Sequence, residues 1–364
     1  MQLDPRHLLH VFPSFAVGGA QMRFVTLANA LGDRYRHTVL ALDGDYACAQ
    51  RVAADVCVRY ETISAPKQAT LGNVRRFRRR LRDLAPDVLI THNWGAIEWA
   101  VANIPPLARH IHIEDGFGPE ERSAQIRRRV LTRRWVLSRS TVVLPSRNLW
   151  RIATEIWRLD PGRVRYVPNG IDIDWFTRVE HMARDVVVVG TVAGLRAEKN
   201  IARLLHAFRL VCASVPTRLH IVGDGPERRA LQELAQRLGL EAHVEFMGQV
   251  NDPVTAYRSF DIFALSSDTE QMPLSVLEAM ASGLPIAATD VGDVPAMVAD
   301  ENRAFVTPLA PALLAGAITT LARDPALRAR LGTANRAKAR ADFGLGAMIA
   351  TYAALFDSAA PVRP

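Results

Sequence analysis

Two carboxylates, Glu270 and Glu278, stand in the segment "TEQMPLSVLEAMASGLPIAATDVG", Thr269–Gly292. Pro273 lies between them and suits the first position of a helix, where its missing N–H costs nothing. A helix over Leu274–Ser282, stopped by Gly283, leaves Glu270 in the preceding loop and carries Glu278 within the helix. A helix N-terminus attracts an anion, and carboxylates beside it accept hydrogen bonds from hydroxyls. A sugar carried on a nucleotide diphosphate offers both kinds of group. The same acids also suit an ordinary helix start, where negative charge is favoured, and the spacing alone leaves both readings open. Gly18 and Gly19, between a strand and a helix, would let a loop approach a phosphate or an acceptor closely. Asp43 and Asp45 of "LDGD" could hold a divalent metal on a diphosphate. Asp-Gly is also a common turn pair, and we read this one as a turn.

These residues need a scaffold, and the chain alternates strand, loop and helix. His7–Phe12 reads as a strand, followed by the loop Ser14–Gly19. The helix after it carries Phe24, Leu27, Ala28 and Leu31 at spacings of three and four and closes at Gly32. Further strands are expected at His37–Leu42, Asp87–Thr91, His110–Glu114 and Thr141–Leu144. The order breaks around Val167–Trp175, where Pro, Asn and Gly cluster. It restarts with strands at Asp185–Val189, Leu219–Val222, Val244–Met247, Ile262–Leu265, Ile286–Ala288 and Phe305–Val306. Such alternation implies parallel sheets with helices on both faces. We therefore expect two α/β domains, 1–178 and 179–343, and a terminal helix over 344–360.

The bulk composition agrees. The 364 residues exceed one ordinary core, and 49% hydrophobic with 23% charged residues is a globular composition. No run approaches the ~20 apolar residues of a membrane span, and Met1–His10 has no signal-peptide pattern. Cys48, Cys57 and Cys212 show no metal-ligand spacing, and a sparse, odd set suits a reducing cytosol. The net charge of +8 suits an acidic partner.

Six ordered segments resemble the retaining glycosyltransferases of family 4. The Thr269–Gly292 segment looks like their Glu-x7-Glu signature. It is joined by "VGGAQ" (Val17–Gln21), "PNGID" (Pro168–Asp172), "GLRAEKN" (Gly194–Asn200), "IVGDGPER" (Ile221–Arg228) and "FMGQV" (Phe246–Val250). The resemblance implies the GT-B fold: two Rossmann-like domains facing across a cleft, with a C-terminal helix crossing back onto the first. It implies an acceptor site in the first domain and a nucleotide-sugar site in the second, with no metal and no cofactor beyond the donor. A UDP-sugar is favoured over a GDP-sugar. By the same pattern Arg196 and Lys199 bind the diphosphate, Glu270 meets sugar hydroxyls and Glu278 the ribose. Gly223, Gln271, Met272, Pro273 and Leu274 border the donor. Fixed cations at a diphosphate leaving group stabilise charge that grows in the transition state.

Two departures stand out. The family's "EHG" is here "EDG", so Asp115 fills the place of a histidine. We take Asp115 as the active-site group, contacting a sugar hydroxyl or the acceptor, and His112 as a strand histidine with a structural partner. Gln271-Met272 replaces a frequent Gly-Phe, putting a side chain into the site. Arginines crowd Arg75–Arg82 and Arg127–Arg134, which suits an anionic membrane surface as well as a solvated helix face. No aromatic interleaving of the nucleic-acid type accompanies them. The expected protein is a cytoplasmic retaining glycosyltransferase, peripheral on the inner face of the membrane, acting on a glycan or lipid-linked glycan. A nucleotide-sugar epimerase of the same fold and a non-catalytic binding module are the alternatives.

Overall fold

The computed structural model describes residues 4–358 apart from 64–65, 67–68, 122–123, 178–185 and 251. The chain forms two compact units, Met1–Pro168 with Gly346–Pro364, and Asn169–Leu345. The sequence put the division at 178/179, which lies outside the described residues. The structure divides earlier because Ile171, Ile173 and Phe176 are buried with Tyr257, Phe260 and Leu277 in the core of the second unit.

Unit 1 is a seven-stranded parallel sheet of β1 (Arg6–Phe12), β2 (Tyr35–Ala41), β3 (Val58–Glu61), β4 (Val88–His92), β5 (Arg109–Ile113), β6 (Thr141–Leu144) and β7 (Val164–Tyr166). Its order is β3-β2-β1-β4-β5-β6-β7. β3 and β7 were not expected, because "VRYE" and "VRY" are too short and too polar to show an apolar run. Its helices are α1 (Gly19–Leu31), α2 (Thr70–Leu84), α3 (Ile97–Ala102), α4 (Arg127–Val136) and α5 (Arg147–Arg151). The interior strand β1 is buried on both faces. Leu9 and Val11 pack with Phe77, Leu81 and Trp99 of α2 and α3, while Phe12 packs with Phe24 of α1. That two-sided burial is the reason parallel strands read as continuous apolar runs.

Unit 2 begins with α6 (Ile173–Thr177) and forms a six-stranded parallel sheet of order β10-β9-β8-β11-β12-β13. The strands are β8 (Val187–Val192), β9 (Thr217–Val222), β10 (Val244–Gly248), β11 (Ile262–Leu265), β12 (Ile286–Thr289) and β13 (Val306–Thr307). Helices α7 (Ile201–Cys212), α8 (Arg228–Arg237), α9 (Pro253–Arg258), α10 (Leu274–Ala281), α11 (Val294–Met297), α12 (Pro311–Arg323) and α13 (Pro325–Asp342) complete it. The last helix, α14 (Leu345–Asp357), then joins unit 1. There the Tyr35 hydroxyl donates to Asp357 Oδ1 at 2.8 Å, and Arg109 donates to the Leu355 carbonyl at 2.5 Å.

Candidate functional site

In an open parallel sheet, ligands bind beyond the carboxyl ends of the strands, where neighbouring connections run in opposite directions. In unit 2 that point lies between β8 and β11. The loop after β8 carries Arg196 and Lys199, and the loop after β11 carries Glu270. Strand adjacency thus brings together residues 71 apart in the chain: Lys199 Nζ lies 2.6 Å from Glu270 Oε1. Ser267 Oγ donates to the same oxygen at 2.7 Å. Two more ties sew the loops together. Arg203 Nη2 meets Asp268 Oδ1 at 2.6 Å, and Ser266 Oγ donates to the Lys199 carbonyl at 3.1 Å.

Glycines set how closely these loops approach. Gly223 has φ +129°, and a Cβ there would stand 1.9 Å from the Ala193 carbonyl oxygen. Gly292, at φ +54°, would put a Cβ 2.2 Å from the Glu270 carbonyl oxygen. Both positions exclude a side chain twice over, by backbone conformation and by space. They hold the loops after β9 and β12 against those after β8 and β11.

Helix α10 starts at Leu274, as expected, and ends at Ala281. Pro273 is its N-cap, at φ −69° and ψ 123°, and Leu274 is the first helical residue. The ψ is extended, and no side chain caps the helix. Its leading N–H groups are the sort that bind anions. Glu278, one turn in, accepts a hydrogen bond from the Tyr257 hydroxyl at 2.6 Å. Burial pushes the Glu278 carboxyl up from its usual range, and the Tyr257 bond opposes that rise. Burial, then the charge of Glu278, holds the Tyr257 phenol well above its ordinary value.

Arg196 reaches outward, its side chain 61% exposed, with Nε 3.3 Å from Glu198 Oε1. Gln271 is half-buried and its carbonyl accepts from the Asp293 N–H at 2.9 Å. Met272 does not project into the site as its sequence position implied. Its side chain is buried in the unit 2 core, and its carbonyl accepts from Asn169 Nδ2 at 3.2 Å. An apolar thioether finds more dispersion contact there than in a polar crevice.

Unit 1 has its own switch point, between β1 and β4. Gly18 is the N-cap of α1 and Gly19 its first residue. Asp115 follows β5 and is clamped by Arg23 of α1, with Nη1 2.6 Å from Oδ1 and Nη2 2.8 Å from Oδ2. The Asp115 N–H donates to Asn93 Oδ1 at 2.7 Å. Burial alone would lower the Arg23 guanidinium; the Asp115 charge overcomes it and holds the guanidinium above its ordinary value. His112 is fully buried and bonded to Thr91 Oγ1 at 2.8 Å. Beside Arg23 a small cavity is lined by His10, His37, His92, Tyr352 and Phe356. His10 Nε2 lies 3.2 Å from His37 Nδ1, and His10 Nδ1 lies 3.5 Å from His92 Nε2. Burial drives His10 and His92 well below the usual imidazole range and His37 to about 4. Asp43 and Asp45 form the expected turn, Asp43 Oδ1 accepting from the Asp45 N–H at 3.0 Å.

The arginine runs are narrower than their sequence suggested. Arg80 pairs with Glu61, and Arg78 donates to the carbonyls of Ala102 and Pro105 at 2.7 and 2.9 Å. Arg133 is fully buried, bidentate to Glu121 at 3.0 Å on each oxygen, with its guanidinium 4.8 Å from the rings of Trp94 and Trp157. Arg129 pairs with Glu120 at 2.6 Å and Glu121 at 3.0 Å. Arg129 and Arg133 hold the loop after β5, Arg80 ties α2 to β3 and Arg78 ties it to the end of α3; acids within unit 1 balance Arg80, Arg129 and Arg133. Sequence reasoning missed Arg23, Arg203, Ser267, Asp268 and Tyr257. Each lies inside an unremarkable helix or loop; the partners of Arg23, Arg203, Asp268 and Tyr257 are remote in the chain, while Ser267 meets Glu270 three residues on.

Comparison with known proteins fits this geometry. Residues 176–338 match the family described as Glycosyl transferases group 1, and residues 17–175 match Glycosyltransferase Family 4. An exopolysaccharide phosphotransferase of Streptomyces coelicolor is 30% identical over 253 residues, 68% of this chain; the match spans only 26% of that relative. A D-inositol 3-phosphate glycosyltransferase of Corynebacterium efficiens is 26% identical over 302 residues, 75% of this chain and 71% of the relative. Among solved structures, Anabaena HepE in complex with UDP has a TM-score of 0.81 at 20% identity, covering 97% of this chain and 100% of its own. The likeness establishes the GT-B fold.

Proposed function

We propose that this chain, which matches Glycosyl transferases group 1 over residues 176–338 and Glycosyltransferase Family 4 over residues 17–175, transfers a hexose-type sugar from a UDP-sugar to a glycan or lipid-linked glycan with retention of configuration. The observation that carries the donor site is the Lys199–Glu270 pair at the switch point of unit 2. A cation and a carboxylate 2.6 Å apart suit a sugar–phosphate junction, Lys199 (with Arg196) on the diphosphate and Glu270 on a sugar hydroxyl. Glu278 takes the ribose, and Gly223, Gln271, Pro273 and Leu274 border the nucleotide. UDP as the base carrier is supported by the UDP and UDP-glucose in the Anabaena structures. Asp115, oriented by Arg23, contacts the transferred sugar or the acceptor.

In this reading the bond from the anomeric carbon to the phosphate oxygen breaks while the acceptor oxygen attacks the same face. The acceptor proton passes to the departing phosphate oxygen. Arg196 and Lys199 stabilise the charge that develops there, the role given to a metal in other transferases. The likeness to an exopolysaccharide phosphotransferase supports synthesis of a cell-surface glycan. The exposed arginines of unit 1 support a place at the inner face of the membrane.

The test is nucleotide diphosphate release from a panel of UDP- and GDP-sugars, beside Glu270→Ala. Release from one donor, lost in the variant, identifies the donor. Sugar interconversion without release would make the protein an epimerase. Donor binding without either, even with membrane extract as acceptor, would make it a binding module. The anomeric coupling of the isolated product decides retention.

A further inference from the structure

Helix α4 is amphipathic in an unusual sense. At 3.6 residues per turn, Arg134, Arg127, Leu131, Trp135 and Arg128 follow one another round an arc of about 120°. All five are exposed, Leu131 by 64% and Trp135 by 60%. The opposite side carries the buried Arg133 and Val136. Two large apolar side chains four residues apart form one continuous patch, and guanidiniums flank it on both sides. Scattered exposed apolar residues need no account, but a Leu–Trp stripe bordered by cations on a helix with no acid has the composition of an interfacial helix.

The neighbouring helices extend the charge. α3 packs between α2 and α4: Phe77 of α2 stacks on Trp99 at 4.7 Å, and Ile97 and Ala100 share a core with Val136. α2 adds the exposed Arg75, Arg79 and Arg82 to the same helix layer.

We propose that unit 1 docks on an anionic bilayer through this face of α4, with Leu131 and Trp135 entering the headgroup region and Arg127, Arg128 and Arg134 contacting lipid phosphates. Trp settles at the membrane interface because one end of it is apolar and the other polar. Each basic residue near anionic lipid adds attraction that salt weakens. A nucleic acid would use the arginines and stack on Trp135, but it has no use for Leu131. The proposal deepens the membrane part of the function proposed above and is independent of the donor chemistry.

The experiment is sedimentation of the full chain with vesicles of phosphatidylcholine, alone or mixed with phosphatidylglycerol. Binding is expected to the mixed vesicles only, falling with added salt. Arg127→Gln, Arg128→Gln and Arg134→Gln should each weaken it about fivefold. Leu131→Ser with Trp135→Ser should weaken it at least tenfold while leaving the slope against salt unchanged. Melting temperature and nucleotide release in solution, followed in the same variants, should not move. Equal binding to both vesicle types, or wild-type affinity in the Leu131/Trp135 variant, would overturn the proposal. So would displacement from vesicles by a single-stranded RNA oligomer. Failure to release nucleotide from any donor would sink the transferase reading and leave this one standing.

Discussion

The site of unit 2 rests on close backbone approach as well as on side-chain pairs, and that of unit 1 rests on one buried ion pair. In unit 2, glycines let carbonyls of adjacent loops meet where no Cβ fits, and Lys199 and Glu270 sit on loops that neighbouring strands already bring together. In unit 1, Asp115 owes its position to Arg23, a residue 92 positions away. Three buried histidines line the cavity beside Arg23. A backbone-built site tolerates loss of one side chain structurally but not chemically. A pair-built site fails structurally first, because removing one charge strands the other.

Lys199→Ala therefore gives the largest functional effect. A preorganised cation at a leaving group typically contributes 10²–10³ in rate, and kcat for nucleotide release should fall by about that factor. The melting temperature should barely move, since the Lys199 side chain is 20% exposed and on a loop. Asp115→Asn tests the other half. Arg23, only 4% exposed, would be left with a neutral partner, at a cost to unit 1 of about 3 kcal/mol. Hydrogen exchange followed by peptide should locate the loss in 4–168 and α14. Adding Arg23→Met should recover much of it. If Asp115→Asn abolishes transfer without loosening unit 1, the pair is chemical rather than structural and the contrast is wrong.

Acid should separate the units as well. His10, His37, His92 and His110 are neutral in the fold, the last held at about 3 by burial. Below pH 6.5 the unfolded chain binds protons that the folded unit cannot. Stability then falls with pH by about 1.4 kcal/mol per unit for each group. For His37 the loss continues down to about pH 4; above 6.5 these groups contribute no pH dependence. Glu278 in unit 2 has the opposite sign: its raised carboxyl takes up a proton in the fold before the unfolded chain does. Exchange protection should thus fade in unit 1 first between pH 6.5 and 4, and equal fading would break the comparison.

The same contrast decided what could be read in advance. The strand alternation, the Glu270–Glu278 spacing and the basic pair Arg196 and Lys199 were legible because each is local, or is set by strand order that apolar runs reveal. The Arg23–Asp115 clamp was not, since nothing in "GGAQMRF" marks one arginine of the chain's many as a buried partner. The arginine runs misled in part for the same reason. Arg129 and Arg133 read as solvated cations until the acids that follow β5 fold back onto them. Met272 was placed correctly in its loop, but the direction of its side chain depends on Asn169, more than a hundred positions earlier.

Tyr257→Phe gives the smallest and most discriminating effect. The ring would stay in its apolar box, 5.8 Å from Phe176 and Phe260 and 6.0 Å from Phe263, so only the hydroxyl is removed. Glu278 would lose its 2.6 Å bond and, with it, the interaction that opposes its raised carboxyl. If Glu278 accepts from the ribose, KM for the donor should rise on the order of tenfold, with kcat unchanged because the ribose is remote from the breaking bond. The rise in KM on acidification should also begin at higher pH in the variant, since a protonated Glu278 accepts less well. The two signatures separate the roles of the pair. A fall in kcat at constant KM would remove Glu278 from the ribose and place it with the reacting groups. A change in melting temperature alone would make the Tyr257–Glu278 bond a purely structural tie.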